Sequence, residues 1–142
     1  MERMRQVIAG DRDGPPVART IGFRLIEIDQ GRAVFELEAR RDRHANPMGT
    51  LHGGILCDVA DAAMGTAYAT LLGPNESFTT LELKINFLRP VWDATLIATG
   101  RVVKGGAQVG LAECDVTDQD GRLVARASST CLTLRGEQAR GR

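Results

Sequence analysis

The stretch from about residue 52 to residue 72 constrains the fold most, because it is the one long helical pattern in a chain of 142 residues. Its apolar side chains lie on nearly every face of the helix, and alanine and glycine fill many of the remaining positions. A helix that is apolar on most faces is wrapped by other structure, and small residues let a sheet approach its backbone closely. The carboxylates of Asp58 and Asp61 would be costly in a bilayer. We therefore predict a helix buried in a water-soluble domain, and no membrane span.

The segments on both sides of this helix have the patterns of β-strands. Residues 23–28 and 33–38 alternate between apolar and polar side chains around a short turn, which predicts a hairpin. Four more strand patterns joined by short turns follow the helix and predict an antiparallel meander. These four cover residues 81–87, 95–103, 108–116 and 123–134. The predicted fold class is α+β, an antiparallel sheet wrapped around one long central helix. Because the edges of such a sheet need protection, we expect an oligomer.

The composition fits a single domain over residues 1–142. Within it we expect an N-terminal extension over residues 1–16, with a short helix to about Ala9, and a flexible tail over residues 135–142. Basic and acidic side chains number 18 each, so no net charge attracts nucleic acid. The start lacks the pattern of a secretory signal, and the 3 cysteines lack metal-ligand spacing. We therefore expect a cytoplasmic protein with no metal and no nucleic-acid partner.

The segment most informative about chemistry is residues 46–54, Asn-Pro-Met-Gly-Thr-Leu-His-Gly-Gly, which leads into the helix. Gly53 and Gly54 stand at the helix start, where backbone N–H groups have no intrahelical acceptor and lie at the positive end of the helix dipole. Such an amide can stabilise a carbonyl oxygen that gains negative charge. His52 precedes them. We expect its side chain to cap the helix and fix the loop rather than to act directly as a general base.

Asp58 and Asp61 are three residues apart and share one face of the helix. Gly65 continues that face one turn later and opens space beside the carboxylates. A carboxylate on an otherwise apolar helix must be paired or solvated. Two interpretations stay open: each aspartate bonds to a loop or covers a subunit edge, or it faces a cleft.

The pattern Asn46-x-x-Gly49-Thr50-Leu51-His52-Gly53-Gly54, followed by Ala60-Asp61, resembles one subfamily of the hotdog-fold acyl-CoA thioesterases. This is the phenylacetate-pathway type, similar to 4-hydroxybenzoyl-CoA thioesterase. Residues 83–90 and 103–105 also resemble it, and the resemblance covers about residues 22–134. It implies hydrolysis of a thioester to a free acid and CoA, with no metal or organic cofactor. It also implies a homo-oligomer with the active site at a dimer interface, and we expect a tetramer built from two dimers.

The resemblance further implies a role for individual residues. The Gly53 amide would polarise the thioester carbonyl, and Asp61 would activate water as general base or attack as nucleophile, the two coming from opposite subunits. Asn46 would hold the water or the thioester, His52 would brace the loop and the carbonyl, and Thr80 would orient the water or Asp61. Arg89 and Lys104 would hold the CoA phosphates, or else are solvated surface charges. The expected substrate contacts are completed by Gly54, Met64, Gly65 and Gly105.

Two other functions remain as alternatives. One is a hotdog hydratase or dehydratase, which places a histidine and an acidic residue in a different pattern. The other is a non-catalytic acyl-CoA-binding hotdog protein, which has no use for a carboxylate beside a thioester. The sequence leaves the acyl group open, although a single tryptophan and a single tyrosine weakly favour an aliphatic group over an aryl one.

Overall fold

The computed structural model describes residues 1–141 and consists of a six-stranded sheet with one long helix and three short ones. The helices are α1 (Glu2–Ala9), α2 (Pro16–Ile21), α3 (Arg41–His44) and α4 (Gly53–Ala69). The strands are β1 (Phe23–Asp29), β2 (Arg32–Ala39), β3 (Ser77–Phe87), β4 (Ala94–Gly105), β5 (Val109–Thr117) and β6 (Leu123–Leu134). A short 3₁₀ turn spans Gly136–Ala139.

The sheet has the order β1-β2-β4-β5-β6-β3, and all neighbouring strands are antiparallel. It curls around α4, so the prediction of a sheet wrapped around one central helix is confirmed. The predicted four-strand meander is wrong for β3, which pairs with β6 and leaves β2 beside β4. The reason lies in residues 88–93, which cross the start of α4 and do not form a tight turn. There the Leu51 N–H donates to the Val91 carbonyl at 2.7 Å.

Small residues bring α4 and the sheet into backbone contact, as the sequence predicts. A Cβ added at Gly100 of β4 would stand 2.4 Å from the carbonyl group of Ala63 in α4. A Cβ at Gly110 of β5 would stand 2.2 Å from the ring of Tyr68. Helix and strands therefore leave no room for a side chain at these crossings, and apolar residues fill the rest of the core. The largest fully buried side chains include Leu37, Leu96, Val59, Val116, Val124 and Met64.

A β-bulge interrupts the pairing of β3 with β6 between Thr80 and Glu82. An extra residue in a strand shifts the alternation of its side chains by one position. The simple alternation predicts Leu81 on the inner face with Leu83, but Leu81 is 55% exposed. The bulge instead turns Thr80 inward, toward α4.

The predicted N-terminal extension holds α1 and α2, and α1 ends at Gly10, as expected, in a left-handed conformation with φ of 81°. Arg142, the last residue of the predicted tail, lies outside the described residues. None of the helices formed within residues 1–141 has the length and apolarity to cross a membrane.

Candidate active site

The loop before α4 is organised by the side chain of Asn46. Its Oδ1 accepts from the backbone N–H groups of Met48 at 2.9 Å and Thr50 at 3.2 Å, and its Nδ2 donates to Thr50 Oγ1 at 2.8 Å. The Asn46 N–H also donates to the Thr50 carbonyl at 2.7 Å. Oδ1 is therefore committed to the loop, and one hydrogen of Nδ2 is left for a ligand. The predicted contact of Asn46 with water or thioester stays a prediction.

His52 is the N-cap of α4, and its Nδ1 accepts from the Gly54 N–H at 2.9 Å. The ring lies so close to Gly54 that a Cβ there would stand 2.9 Å from Nδ1. Because Nδ1 accepts, the neutral ring carries its proton on Nε2, which faces outward as a donor. The cap that the sequence favours is therefore present, and the Gly54 amide is occupied by it.

The Gly53 N–H, by contrast, has no acceptor within residues 1–141. It stands at the first position of α4, where the helix dipole adds positive potential. The ring of Phe87, from the end of β3, covers the Cα of Gly53, and a Cβ there would stand 2.8 Å from the ring. A side chain at this position would therefore have to displace the Phe87 ring, and an unpaired amide remains at the helix start. The sequence includes Phe87 in the segment of family resemblance but gives no sign of this contact.

Asp61 lies two turns along α4 and is exposed in the isolated chain. Its Oδ1 accepts a hydrogen bond from the Thr80 hydroxyl at 3.0 Å. No ion pair with a residue of the described chain neutralises its charge. The Thr80 hydroxyl faces Asp61 because of the bulge in β3, and bulges often re-aim side chains beside active sites. The structure therefore brings Asp61 and Thr80 together, as predicted.

Asp58 lies one turn before Asp61 on the same face of α4. Partial burial and the negative charge of Asp61 raise the pKa of the Asp58 carboxyl above its usual value. No described side chain bonds to Asp58. No cation of residues 1–141 forms an ion pair with either carboxylate, so this face of α4 is negatively charged where it adjoins an apolar surface. Both aspartates therefore face a cleft of the single chain, and the interpretation in which they cover a subunit edge stays an alternative.

That cleft is a groove of about 1360 Å³ between α4 and the N-terminal helices. Asp58 and Asp61 lie on it, with Ala62, Thr66 and Ala69 following along α4. Its other walls are formed mainly by apolar side chains. They include Met4, Val7 and Ile8 of α1, and Phe23, Phe35 and Phe78 of the sheet. The combination of a carboxylate with an adjoining apolar groove suits a substrate that has a reactive polar group and an apolar tail.

A second, shallower depression of about 870 Å³ lies on the surface and includes Arg40, Asp42 and Asp93. Its arginines are paired with its aspartates, since Arg40 lies 2.7 Å from Asp42 and the Arg41 guanidinium lies 3.8 Å from Asp93. Asp61 lines the groove beside α4 and does not lie on this depression. The groove beside α4 is therefore the better candidate for a site.

Several of the predicted substrate-binding residues lie apart from this groove. Met64 is completely buried in the core, and Gly65 is covered by Phe78, whose ring would stand 3.1 Å from a Cβ there. Neither lines the groove, whose α4 wall includes Ala62 and Thr66 instead, and the substrate contacts of Met64 and Gly65 stay predictions.

The predicted CoA-binding residues are exposed but stand at opposite ends of α4. Arg89 follows β3 near the start of the helix, and its N–H bonds to the Val124 carbonyl. Lys104 and Gly105 close β4 near the helix end, where a Cβ at Gly105 would lie 3.3 Å from Leu71. One chain therefore does not present both cations to one phosphate, and their roles stay predictions. Within residues 1–141, no group of three or more histidine, cysteine or acidic side chains is placed to hold a metal ion.

The fold and the site define a class of α+β proteins in which a helix inside a curled sheet presents a free amide at its start and a carboxylate two turns later. The sequence of residues 48–125 matches the model of the Thioesterase superfamily. The chain belongs to this family, and the predicted family, hotdog fold and thioester hydrolase activity are confirmed.

Named relatives support the same assignment. The acyl-coenzyme A thioesterase PaaI of Escherichia coli is 31% identical over 109 residues, which cover 76% of this chain and 75% of that protein. The 1,4-dihydroxy-2-naphthoyl-CoA hydrolase of Listeria monocytogenes is 29% identical over 111 residues, covering 78% and 89%. Among solved structures, a thioesterase family protein from Silicibacter pomeroyi superposes with a TM-score of 0.82 at 29% identity, covering 94% of this chain and 99% of that one.

Proposed function

We propose that the protein hydrolyses acyl-CoA thioesters, with Asp61 as the group that activates water and the Gly53 amide as the oxyanion donor. The observation that carries the proposal is the Asp61 carboxylate, held by the Thr80 hydroxyl at 3.0 Å on an apolar groove. The named activities of two relatives, an acyl-coenzyme A thioesterase and a naphthoyl-CoA hydrolase, support CoA esters as the substrate class.

In the proposed reaction, Asp61 takes a proton from a water whose oxygen attacks the thioester carbonyl carbon. The electron pair of the carbonyl double bond moves to the oxygen, which accepts a hydrogen bond from the Gly53 N–H. Collapse of this intermediate breaks the carbon–sulfur bond, and the departing CoA thiolate takes the proton. The products are the free acid and CoA. In the alternative form of the same reaction, Asp61 attacks the carbonyl carbon itself, and the carbon–sulfur bond breaks to release the CoA thiolate. Water then hydrolyses the mixed anhydride to the free acid, and its remaining proton passes to the thiolate, which regenerates the Asp61 carboxylate.

The geometry of one chain argues that two chains build each site. Gly53 and Asp61 are eight residues apart on α4, which is about 12 Å along the helix axis. A single carbonyl cannot contact both, because the attacking water and the oxyanion donor must each lie within about 3 Å of the reacting group. The free edge of β3 offers a surface for a second copy, with Leu81, Phe87 and Leu88 all exposed. We therefore infer a dimer in which Gly53 of one protomer faces Asp61 of the other.

The test measures the hydrolysis of a panel of acyl-CoA and aryl-CoA esters by the wild type and by Asp61→Asn. A thiol-trapping dye detects the CoA that is released. We expect thiol release by the wild type and a loss of about 10³-fold or more in kcat for Asp61→Asn, since a positioned base or nucleophile is removed. Near-identical circular dichroism spectra would show that the fold survives. Thiol release by Asp61→Asn at the wild-type rate would remove Asp61 from the chemistry.

A further inference from the structure

The N-terminal helix α1 lies across the groove that begins at Asp61. Met4, Val7 and Ile8 recur at positions three and four residues apart, so they form one apolar face of α1, and all three line the groove. The wall opposite α1 is formed by α4 and includes Ala62. Met4 is packed against the core, whereas Ile8 is still 38% exposed. An apolar face that is only partly covered leaves room for an apolar ligand beside it.

This helix is attached to the rest of the chain by apolar contacts alone. Within residues 1–141, none of its side chains makes a hydrogen bond or an ion pair to another element. It ends at Gly10, and a Cβ at Gly14 would lie 3.9 Å from Val7, so the linker folds back against the helix. Because an isolated helix of this length is marginal in water, burial of its apolar face is what holds α1 in place. A ligand in the groove would therefore strengthen that contact.

The groove has a length and a polarity that select one kind of ligand. From Asp61 to Ala69 its α4 wall runs about 12 Å. Along this wall Ala62, Thr66 and Ala69 carry no charge. Beyond it the groove reaches Glu76, which accepts from the Gly73 N–H at 2.8 Å and pairs with Arg135 at 2.6 Å. A chain that extended past Ala69 would meet this charged pair, whereas a chain that stopped there would lie between α4 and the apolar face of α1, with the charged lining residues Arg3, Arg12, Asp13 and Arg24 on the remaining wall.

We propose that α1 is the outer wall of an acyl-binding groove, and that its apolar face makes the enzyme prefer thioesters of medium-length aliphatic acids. The inference rests on the proposed function, because it places the acyl group in the groove that continues from Asp61. Met4, Val7 and Ile8 are specificity-determining residues under this assignment, and they take no part in the chemistry.

The test compares Ile8→Asp with Ala9→Asp, which places the same carboxylate in the same last turn of α1 but outside the groove lining. The measured quantity is the ratio of kcat/KM for decanoyl-CoA to kcat/KM for acetyl-CoA. We expect Ile8→Asp to lower this ratio about tenfold, since it removes contacts with two or so methylene groups, and Ala9→Asp to leave it unchanged. An unchanged ratio for Ile8→Asp, with both esters still hydrolysed, would overturn the assignment of α1.

A binding measurement separates this inference from the proposed reaction. The probe is a decanoyl-CoA analogue with a thioether in place of the thioester, titrated calorimetrically into Asp61→Asn protein with and without Ile8→Asp. We expect the added substitution to raise Kd about tenfold. Equal Kd values would overturn the role of α1, for example because a second protomer fills the groove. If the wild type hydrolysed no ester but this Ile8-dependent binding persisted, the proposed reaction would fall and the groove assignment would stand.

Discussion

At the scale of single residues, the site depends on which polar groups are already satisfied and which are left free. His52 occupies the Gly54 amide, so the Gly53 amide alone remains at the start of α4 to meet a ligand oxygen. Among residues 1–141, the Thr80 hydroxyl is the one hydrogen-bond donor to the Asp61 carboxylate. A carboxylate held by one donor keeps lone pairs available for a water. Under the proposed function, the free Gly53 amide would bind the carbonyl oxygen of the substrate, and a water held by Asp61 would attack the carbonyl carbon.

Thr80→Val tests the positioning role of this hydroxyl. Valine keeps the shape of threonine but removes the hydrogen bond to the carboxylate, a bond to a charged group of about 1.5–3 kcal/mol. We expect kcat for a good CoA ester to fall between about tenfold and a hundredfold, with KM little changed. Thr80→Ser, which retains the hydroxyl, is expected to restore most of the rate. A rise in KM at constant kcat would mean that Thr80 contacts the substrate and does not orient Asp61.

At the scale of elements, the fold depends on close contact between α4 and the inner strands. Gly100 of β4 faces the backbone of Ala63 with no space for a methyl group. The outer face of the same sheet is polar, and Asp115 of β5 links Arg101 of β4 to Arg126 of β6. One face of the sheet is therefore held by packing and the other by charge.

Gly100→Ala tests the packing. We expect it to lower the free energy of unfolding by about 3 kcal/mol, because the helix backbone has to shift to admit the added carbon. Thr99→Ala is the control, since the neighbouring side chain points to the opposite face; we expect a loss below about 1 kcal/mol. Urea unfolding followed by circular dichroism measures both. A Gly100→Ala protein as stable as Thr99→Ala would show that α4 and β4 are not in contact.

Asp115→Asn tests the charges on the outer face. The hydrogen bond from Arg126, with further help from the charge of Arg101, lowers the pKa of the Asp115 carboxyl. Stability from a carboxylate whose folded pKa is lowered is present above its unfolded pKa, near 4, and is lost as pH falls through the folded pKa. We expect Asp115→Asn to cost about 1 kcal/mol at pH 7, a difference that narrows below about pH 4. The control is Asp11→Asn, which removes an exposed carboxylate that has no side-chain partner within residues 1–141. A stability difference for Asp115→Asn that stayed constant with pH would contradict the pairing of the Asp115 carboxylate with Arg126 and Arg101.

At the scale of the whole molecule, the candidate site is divided between two places on one helix. The Gly53 amide and the Asp61 carboxylate lie about 12 Å apart along α4. The unpaired edge of β3 and its exposed apolar side chains lie on the same side of the molecule as the Phe87 ring that covers Gly53. A symmetric dimer that pairs the two halves would create two equivalent sites.

Complementation tests this division. Asp61→Asn removes the carboxylate, and Gly53→Pro removes the amide hydrogen at a helix position that accepts proline, provided that the Phe87 ring moves aside. Each variant alone is expected to be inactive. Random pairing of the two chains makes about half of the dimers mixed, and each mixed dimer has one intact site of its two. Co-refolding should therefore restore about a quarter of the wild-type activity. A mixture no more active than its components would place both groups of each site in one chain.

The local features could be predicted from the order of residues alone. Periodicity and small residues gave the hairpin, α4 and the remaining strands, because side-chain spacing and close packing are properties of each segment. The motif around His52 and Gly53 gave the helix start for the same reason. Three features could be read only from the folded chain: β3 pairs with β6, a bulge turns Thr80 toward Asp61, and α1 lies along the groove. These depend on contacts between segments distant in the chain, and a periodic pattern carries no information about which edge or face a segment meets.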